Sequence, residues 1–299
     1  MSPLIAAAEN VAQARQMDEG SPTLPWSSFA DFFKSRIDDQ ALADRPFLIY
    51  YDDDRQLHVV YSYDEFGMAV QRMASFLYDQ VGLRRGDRLA TILFNHDITV
   101  VLYFAAWSSG ITVVPINVEE PTEKKRFILE HSEASVACCW HSDVEEMKGL
   151  QQGLPALRHV LVLNDHGVME HESPKATDET RQGPLALGHA VHAGSLEDEA
   201  LIVYTSGTTG PPKGVILTSE NLLIDADAIA EWHHFGVNDC LMCVLPIHHV
   251  NGIVVTLLTP FYCKGSAVLN RKFKSATFWR RLHEEHVTCV SVVPTLLEF

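Results

Sequence analysis

The run YTSGTTGPPKGV, Tyr204 to Val215, sets four Ser or Thr side chains (Thr205, Ser206, Thr208, Thr209), three glycines (Gly207, Gly210, Gly214) and one cation, Lys213, within twelve residues. It buries little apolar surface, so packing does not explain it. Glycines let the backbone approach a ligand closely and turn N–H groups inward. The hydroxyls add donors, and Lys213 adds a full positive charge. Together they suit a polyphosphate. Two other loops fit poorly. In G-x-x-x-x-G-K-[ST] the lysine leads into a helix, whereas Lys213 follows Pro212, precedes Gly214 and leads into the strand-like GVIL. In G-x-S-x-G, Tyr204 and Thr208 stand where glycines belong.

Further sets of reactive side chains need weighing. Cys240, Cys243, His248 and His249 form C-x-x-C-x-x-x-x-H-H, a spacing that invites zinc. The residues between the cysteines are apolar, so the pair is expected on opposite faces of a core strand, where four ligands cannot converge tetrahedrally. The H-H-x-x-x-D-G acyltransferase pattern also fails, because Ile253 holds the aspartate position and Gly252 comes too early. Six Lys or Arg lie between Lys264 and Arg281. They read as a solvated helix face with its approach loop, and a coenzyme phosphate is the alternative. Vicinal Cys138 and Cys139 read as one core and one outward residue of a strand.

These residues need elements to hold them, and the chain supplies strands and helices in alternation. PFLIYY (46–51) and LHVVYSY (57–63) read as paired strands around Asp52-Asp53-Asp54. SYDEFGMAVQRMASFLYDQVG has helical apolar spacing after a Ser62 cap, with Glu65 at the capping-box offset. DRLATILF is a strand, DITVVLYFAAWSSG a helix closed by Gly110, ITVVPIN a strand, TEKKRFILEHSE a helix from Thr122 and ASVACCW a strand. LIVY enters the hydroxyl-rich loop and GVIL leaves it. This alternation predicts a doubly wound, mostly parallel α/β fold. Residues 1–25 read as a loosely ordered lead-in, 26–195 as a first α/β subdomain ending in an acidic linker over 164–195, and 196–299 as a second subdomain carrying the loop.

Composition narrows the partners. A net charge of −16 argues against nucleic acid and anionic membrane, so an anionic ligand must be held by a local arrangement. No cationic segment followed by an apolar run opens the chain, and six sparse cysteines fit a reduced, cytoplasmic protein. Ile98 to Ile116 carries no charge and approaches spanning length. Ser108-Ser109-Gly110 breaks it, so a buried helix, a turn and a buried strand are expected rather than a transmembrane span.

YTSGTTGPPKGV is similar to the phosphate-binding loop of the AMP-forming adenylating enzymes, which comprise acyl-CoA synthetases, luciferases and peptide-synthetase adenylation domains. Other stretches agree in order: VYSYDEF (60–66), SSGITVVPINVEEPTEKKRFILEHSEASV (108–136), LTSENLL (217–223), VLPIHHVNGI (244–253) and VVPTLL (292–297). Ser219 departs from the family, which often has His there. The resemblance runs from about residue 26 to 299 and is closest to the acyl-CoA synthetase branch.

The resemblance implies two sheets in two subdomains of the family's large N-terminal domain, the second incomplete. The family's later acidic motif, ribose-binding aspartate and small C-terminal domain with its catalytic lysine find no match, so the 299 residues are expected to be inactive alone. It implies activation of a carboxylic acid, fatty or aryl, by ATP and Mg²⁺ to an acyl-adenylate, then transfer to coenzyme A with release of AMP. Thr205, Ser206, Gly207, Thr208, Thr209, Gly210 and Lys213 would hold the ATP phosphates, with Thr208 near the Mg²⁺ carried by ATP. His249, Asn251 and Gly252 would line the acid site, and Lys213, Thr208 and His249 would serve catalysis. The bland alternative for His249 is a core histidine bonded to backbone. No aspartate lies between Leu241 and Asn270, which disfavours an amino-acid substrate. Two alternatives stay open: an acyl-AMP ligase that passes its product to an acyl carrier protein, and a non-catalytic nucleotide-binding remnant.

Overall fold

The acidic turn does what its composition predicts. Strand β1 (Pro46–Asp52) and β2 (Leu57–Ser62) pair antiparallel across it, with Tyr51 opposite His58. Helix α1 (Phe29–Ile37) precedes this hairpin and α2 (Tyr63–Ser75) follows it. The α2 capping box forms as expected: the Glu65 amide donates to Ser62 Oγ at 3.2 Å, and the Ser62 amide donates to Glu65 Oε2 at 2.9 Å. The computed structural model describes residues 23–164, 169–171, 194–205, 211–294 and 296. Most of the expected lead-in, most of the acidic stretch 164–195, and the loop residues Ser206 to Gly210 lie outside them.

Alternation continues through β3 (Arg88–Ile92), α3 (Asp97–Ser108), β4 (Thr112–Pro115), α4 (Thr122–His131), β5 (Val136–Trp140), α5 (Val144–Gln151) and β6 (His159–Leu163). The uncharged stretch 98–116 is therefore helix, turn and strand. Gly110 makes the turn at φ +67°, and a Cβ there would sit 2.8 Å from Arg85 Cγ. No helix of the described residues is long and apolar enough to cross a membrane. Within the stretch read as an acidic linker, Met169–His171 forms a short strand, β7, paired antiparallel with β6.

The second part of the chain supplies β8 (Glu199–Thr205), β9 (Lys213–Thr218) and α6 (Ser219–His233). After these come β10 (Cys240–Cys243), a π-helical segment Asn251–Leu258, β11 (Ser266–Asn270), α7 (Ser275–Glu284) and β12 (Cys289–Ser291). Among the described residues these strands make two sheets. One has five strands in the order β12-β10-β11-β1-β2, the other seven in the order β7-β6-β5-β3-β4-β8-β9. Pairing is parallel inside both sheets and antiparallel only where β2, β7 and β9 close an edge. The mostly parallel α/β fold is as the alternation predicts.

Neither sheet respects a division at residue 195. Strands β1 and β2 cross to the sheet of β10 to β12, and β8 and β9 complete the sheet of β3 to β7. The largest core joins one face of each sheet to α1, α2, α3 and α6 between them, with Phe33, Phe66, Phe104 and Phe261 at its centre. A second core covers the other face of the seven-stranded sheet with α4 and α5, and a third covers the five-stranded sheet with α7.

This layering decides the cysteines. Cys240 packs in the third core and Cys243 in the first, so the two do stand on opposite faces of β10. Cys138 and Cys139 correct the expectation of one outward thiol. Both are 0 % exposed, one in each core, because the sheet is covered on both faces.

The basic run, expected as a solvated face, is also ion-paired. Lys272 pairs with Asp54 at 2.6 Å, Arg281 with Asp53 at 2.6 Å, and Lys264 with Asp39 at 2.8 Å, while Lys274 also bonds Asp54. Arg271 lies 3.9 Å from Asp52. Arg271, Lys272, Lys274 and Arg281 thus face the Asp52–Asp54 turn, while Lys264 pairs with Asp39 and Lys272 and Arg280 remain exposed to solvent.

Candidate active site

Parallel strands end together, and the loops that leave their carboxyl ends enclose a crevice where α/β proteins bind ligands. Here the ends of β3, β4, β10 and β11 do this. A cleft of about 510 Å³ is lined by Phe94 and Asn95 after β3, Asn117 to Glu119 after β4, Val244, Pro246, His248 and His249 after β10, and Arg271 to Phe273 after β11. Its walls mix apolar side chains (Leu93, Phe94, Val118, Val244, Pro246, Phe273) with a larger set of polar and charged ones, which suits a small polar ligand.

The His248–His249 turn forms one wall. The two rings are 4.3 Å apart, and both line the cleft. His249 is exposed. Burial, reinforced by repulsion from His249, pushes the His248 imidazole down to about 4. It is therefore neutral at physiological pH and can accept or donate one hydrogen bond without bringing a charge.

The other expected acid-site residues fall elsewhere. Asn251 is exposed and accepts a hydrogen bond from Ser291 Oγ at 2.9 Å. Gly252 is buried, and a Cβ on it would meet Pro246 O at 2.6 Å. Neither lines the cleft. Gly252 is there because the π-helical segment packs directly on the turn's backbone.

Arg271 forms a second wall. Its guanidinium lies 4.0 Å from the Phe94 ring centre and 5.1 Å from that of Trp140. Burial lowers its pKa, opposed by Tyr50 and Asp52. At the mouth, hydrogen bonds from Lys272 and then Lys274 hold the Asp54 carboxyl down at about 2.

The hydroxyl-rich loop arises from the same end of the fold. Strands β8 and β9 form the expected hairpin, with Thr205 opposite Lys213 and both side chains exposed. Because Gly214 faces Tyr204, a Cβ there would lie 3.2 Å from the tyrosine ring. Strand β8 runs parallel to β4, with Leu201 beside Val113. From there β8 runs on to Thr205, while β4 ends at Pro115 and leads into Asn117 of the cleft wall, so the loop leaves the sheet on the side where that wall begins. Ser206, Gly207, Thr208, Thr209 and Gly210 lie outside the described residues, and nothing in the geometry speaks for them.

Phe94, Asn95 and Asn117 of the cleft carry no motif that marks them in the sequence. The available signal was position, since Phe94 and Asn117 end the strand-like runs DRLATILF and ITVVPIN and Asn95 follows the first.

Comparison with known proteins agrees with this arrangement. The profile of the AMP-binding enzyme family matches residues 36–299. A sulfoacetate–CoA ligase of Cupriavidus necator is 31% identical over 227 residues, 74% of this chain and 42% of the relative. The mitochondrial malonate–CoA ligase of Mus musculus is 27% identical over 263 residues, 86% of this chain and 42% of the relative. The chain thus spans less than half the length of these curated relatives. Among solved structures, apo MatB from Rhodopseudomonas palustris superposes with a TM-score of 0.74 at 22% identity, over 89% of this chain and 50% of that one. That likeness concerns the fold, two sheets flanked by helices, whereas the sequence match extends over nearly all the strands that build the cleft and the loop: the chain belongs to the AMP-binding enzyme family.

Proposed function

We propose that this chain forms the acid- and nucleotide-binding part of an AMP-forming acid–CoA ligase. One observation carries the reading. The Thr205–Lys213 hairpin is carried by β8, which runs parallel to β4, and the chain leaving β4 lines the cleft that also bears His249. A triphosphate on the loop would therefore present its α-phosphorus toward an acid in the cleft. The carboxylate oxygen attacks that phosphorus, the bond to the β-phosphate oxygen breaks, and pyrophosphate leaves. The thiol of coenzyme A then attacks the acyl carbon and AMP departs.

The chain's own part is positioning and charge neutralisation. Thr205, Ser206, Gly207, Thr208, Thr209, Gly210 and Lys213 would take the phosphates as charge builds on the leaving group. His249 would meet the acid at its junction with the nucleotide. Among the described residues no three His, Cys, Asp or Glu side chains gather to hold a metal. Mg²⁺ would arrive with ATP as its counter-ion, Thr208 being the residue the family resemblance assigns to it, and would supply neutralisation of the phosphates.

Relatives that act on sulfoacetate and malonate favour coenzyme A as acceptor over a carrier protein. They also make a short acid with a second polar group the first class to test, ahead of fatty or aryl acids. All six cysteines are free thiols, as suits the cytoplasm. The test is acid-dependent ATP–pyrophosphate exchange by the full-length protein with sulfoacetate, malonate, crotonobetaine, benzoate and a fatty acid. Exchange, followed by thioester on adding coenzyme A, is expected with at least one. ATP binding without exchange for any acid favours the non-catalytic reading.

A further inference from the structure

One carboxamide joins the two halves of the cleft. Asn95, 6 % exposed, follows β3 of the seven-stranded sheet, yet its side chain is spent on the other sheet. Nδ2 donates to Leu245 O at 2.9 Å and to Asn270 O at 3.0 Å, and Oδ1 accepts from the Ile247 amide at 2.9 Å. Leu245 and Ile247 lie in the segment that leads from β10 into His248 and His249. Asn270 ends β11, directly before Arg271 and Lys272. Tyr103 of α3 adds a bond from its hydroxyl to Ile247 O at 3.3 Å. Both backbone groups of the residue before His248 are thus held from the opposite sheet.

Only a planar amide can donate twice and accept once at these three points. An aspartate would turn a carboxylate toward two carbonyl oxygens, and an alanine would leave the buried groups unpaired. We propose that Asn95 is a positioning residue of the cleft, fixing where the His248–His249 turn and the Arg271–Lys272 wall stand relative to the loop-bearing sheet. This rests on the reading of the cleft as the acid site.

The experiment uses the full-length enzyme with Asn95→Ala, Asn95→Asp and, as a milder variant that keeps the amide, Tyr103→Phe. Tyr63→Phe is the control. It removes a buried bond to Gly265 O at 2.9 Å without touching a cleft residue. With the best acid of the panel above, the Asn95 variants are expected to raise KM for the acid by roughly 10-fold or more, with KM for ATP within about twofold. Tyr103→Phe should shift the acid constant in the same sense by less, and Tyr63→Phe should lower Tm alone. A second readout needs no activity. The His248 imidazole, held down at about 4 in the native cleft, should titrate by NMR nearer the ordinary histidine value of about 6.5 once Asn95 is replaced. An acid KM equal to wild type in a folded Asn95 variant overturns the proposal. Should wild type exchange with no acid, the functional reading fails, and the His248 titration alone decides the positioning: a shift supports it and an unmoved value overturns it.

Discussion

Tyr204 Oη lies 2.8 Å from Nδ1 of His131, tying the residue that precedes the hydroxyl-rich loop to the end of α4. His131 in turn stacks on Phe127 at 5.3 Å. The loop's entry strand is thereby held by a helix none of whose residues lines the cleft. Tyr204→Phe removes this bond and the hydroxyl's contact with Ser132, and the expected stability loss is about 0.5–1.5 kcal/mol per bond. If the tether sets the loop's entry angle, KM for ATP rises by roughly 3- to 10-fold while KM for the acid stays put. His131→Ala should give the same split. Equal rises in both constants would show a general loosening instead.

His248 makes a pH-dependent contribution whose sign follows from its burial. Its folded pKa is about 4, below the roughly 6.5 of an unfolded histidine. Between those values the unfolded state binds the extra proton, so its share of stability is complete above about pH 6.5 and falls as pH drops toward 4. The share at stake is on the order of 3 kcal/mol. His248→Phe should flatten Tm against pH across that window. An unchanged slope would mean that His248 is already charged in the fold.

Much of this architecture is legible in the sequence, and particular residues show where legibility stops. Ser62 and Glu65 fix a helix start because the capping box is local, and the β8–β9 hairpin follows from two apolar runs around glycines. Sheet membership is different. Leu48 pairs with Ala267, and nothing in PFLIYY names a partner more than two hundred residues away. Apolar alternation sets which face a residue takes, not which strand lies beside it. Cys138 and Cys139 show the same limit, because a sheet covered on both faces reads as a plain apolar run. At the site, His249 is marked by its motif. Asn95 is not, since a polar residue at a strand end looks the same whether solvated or bonded across a sheet interface.

Gly252 offers a test of the reassignment from acid contact to packing. A Cβ 2.6 Å from Pro246 O and 3.1 Å from Ile247 Cα forces backbone to move. Gly252→Ala is expected to lower stability by about 1–3 kcal/mol. It should also raise KM for the acid, because the displaced residues lead into the His248–His249 turn. Denaturant unfolding beside steady-state kinetics checks this. A variant of wild-type stability with impaired acid binding would return Gly252 to the acid site.

Lys213 and His249 divide the proposed chemistry between them, and their variants should divide it too. Lys213 is exposed at the start of β9, opposite Thr205, where it can reach a phosphate without disturbing any core. Losing one charge-assisted hydrogen bond costs about 1.5–3 kcal/mol, so Lys213→Ala should slow adenylate formation roughly 10- to 150-fold with Tm nearly unchanged. His249 lines the cleft rather than the hairpin. His249→Ala should therefore act on KM for the acid more than on KM for ATP. Pyrophosphate exchange reports the first half-reaction, and thioester formation from preformed acyl-adenylate reports the second. Unchanged exchange in Lys213→Ala with impaired thioester formation would move the lysine to the second half. A rise in the ATP constant alone, or a simple loss of stability, in His249→Ala would make that histidine a structural residue at the cleft's edge.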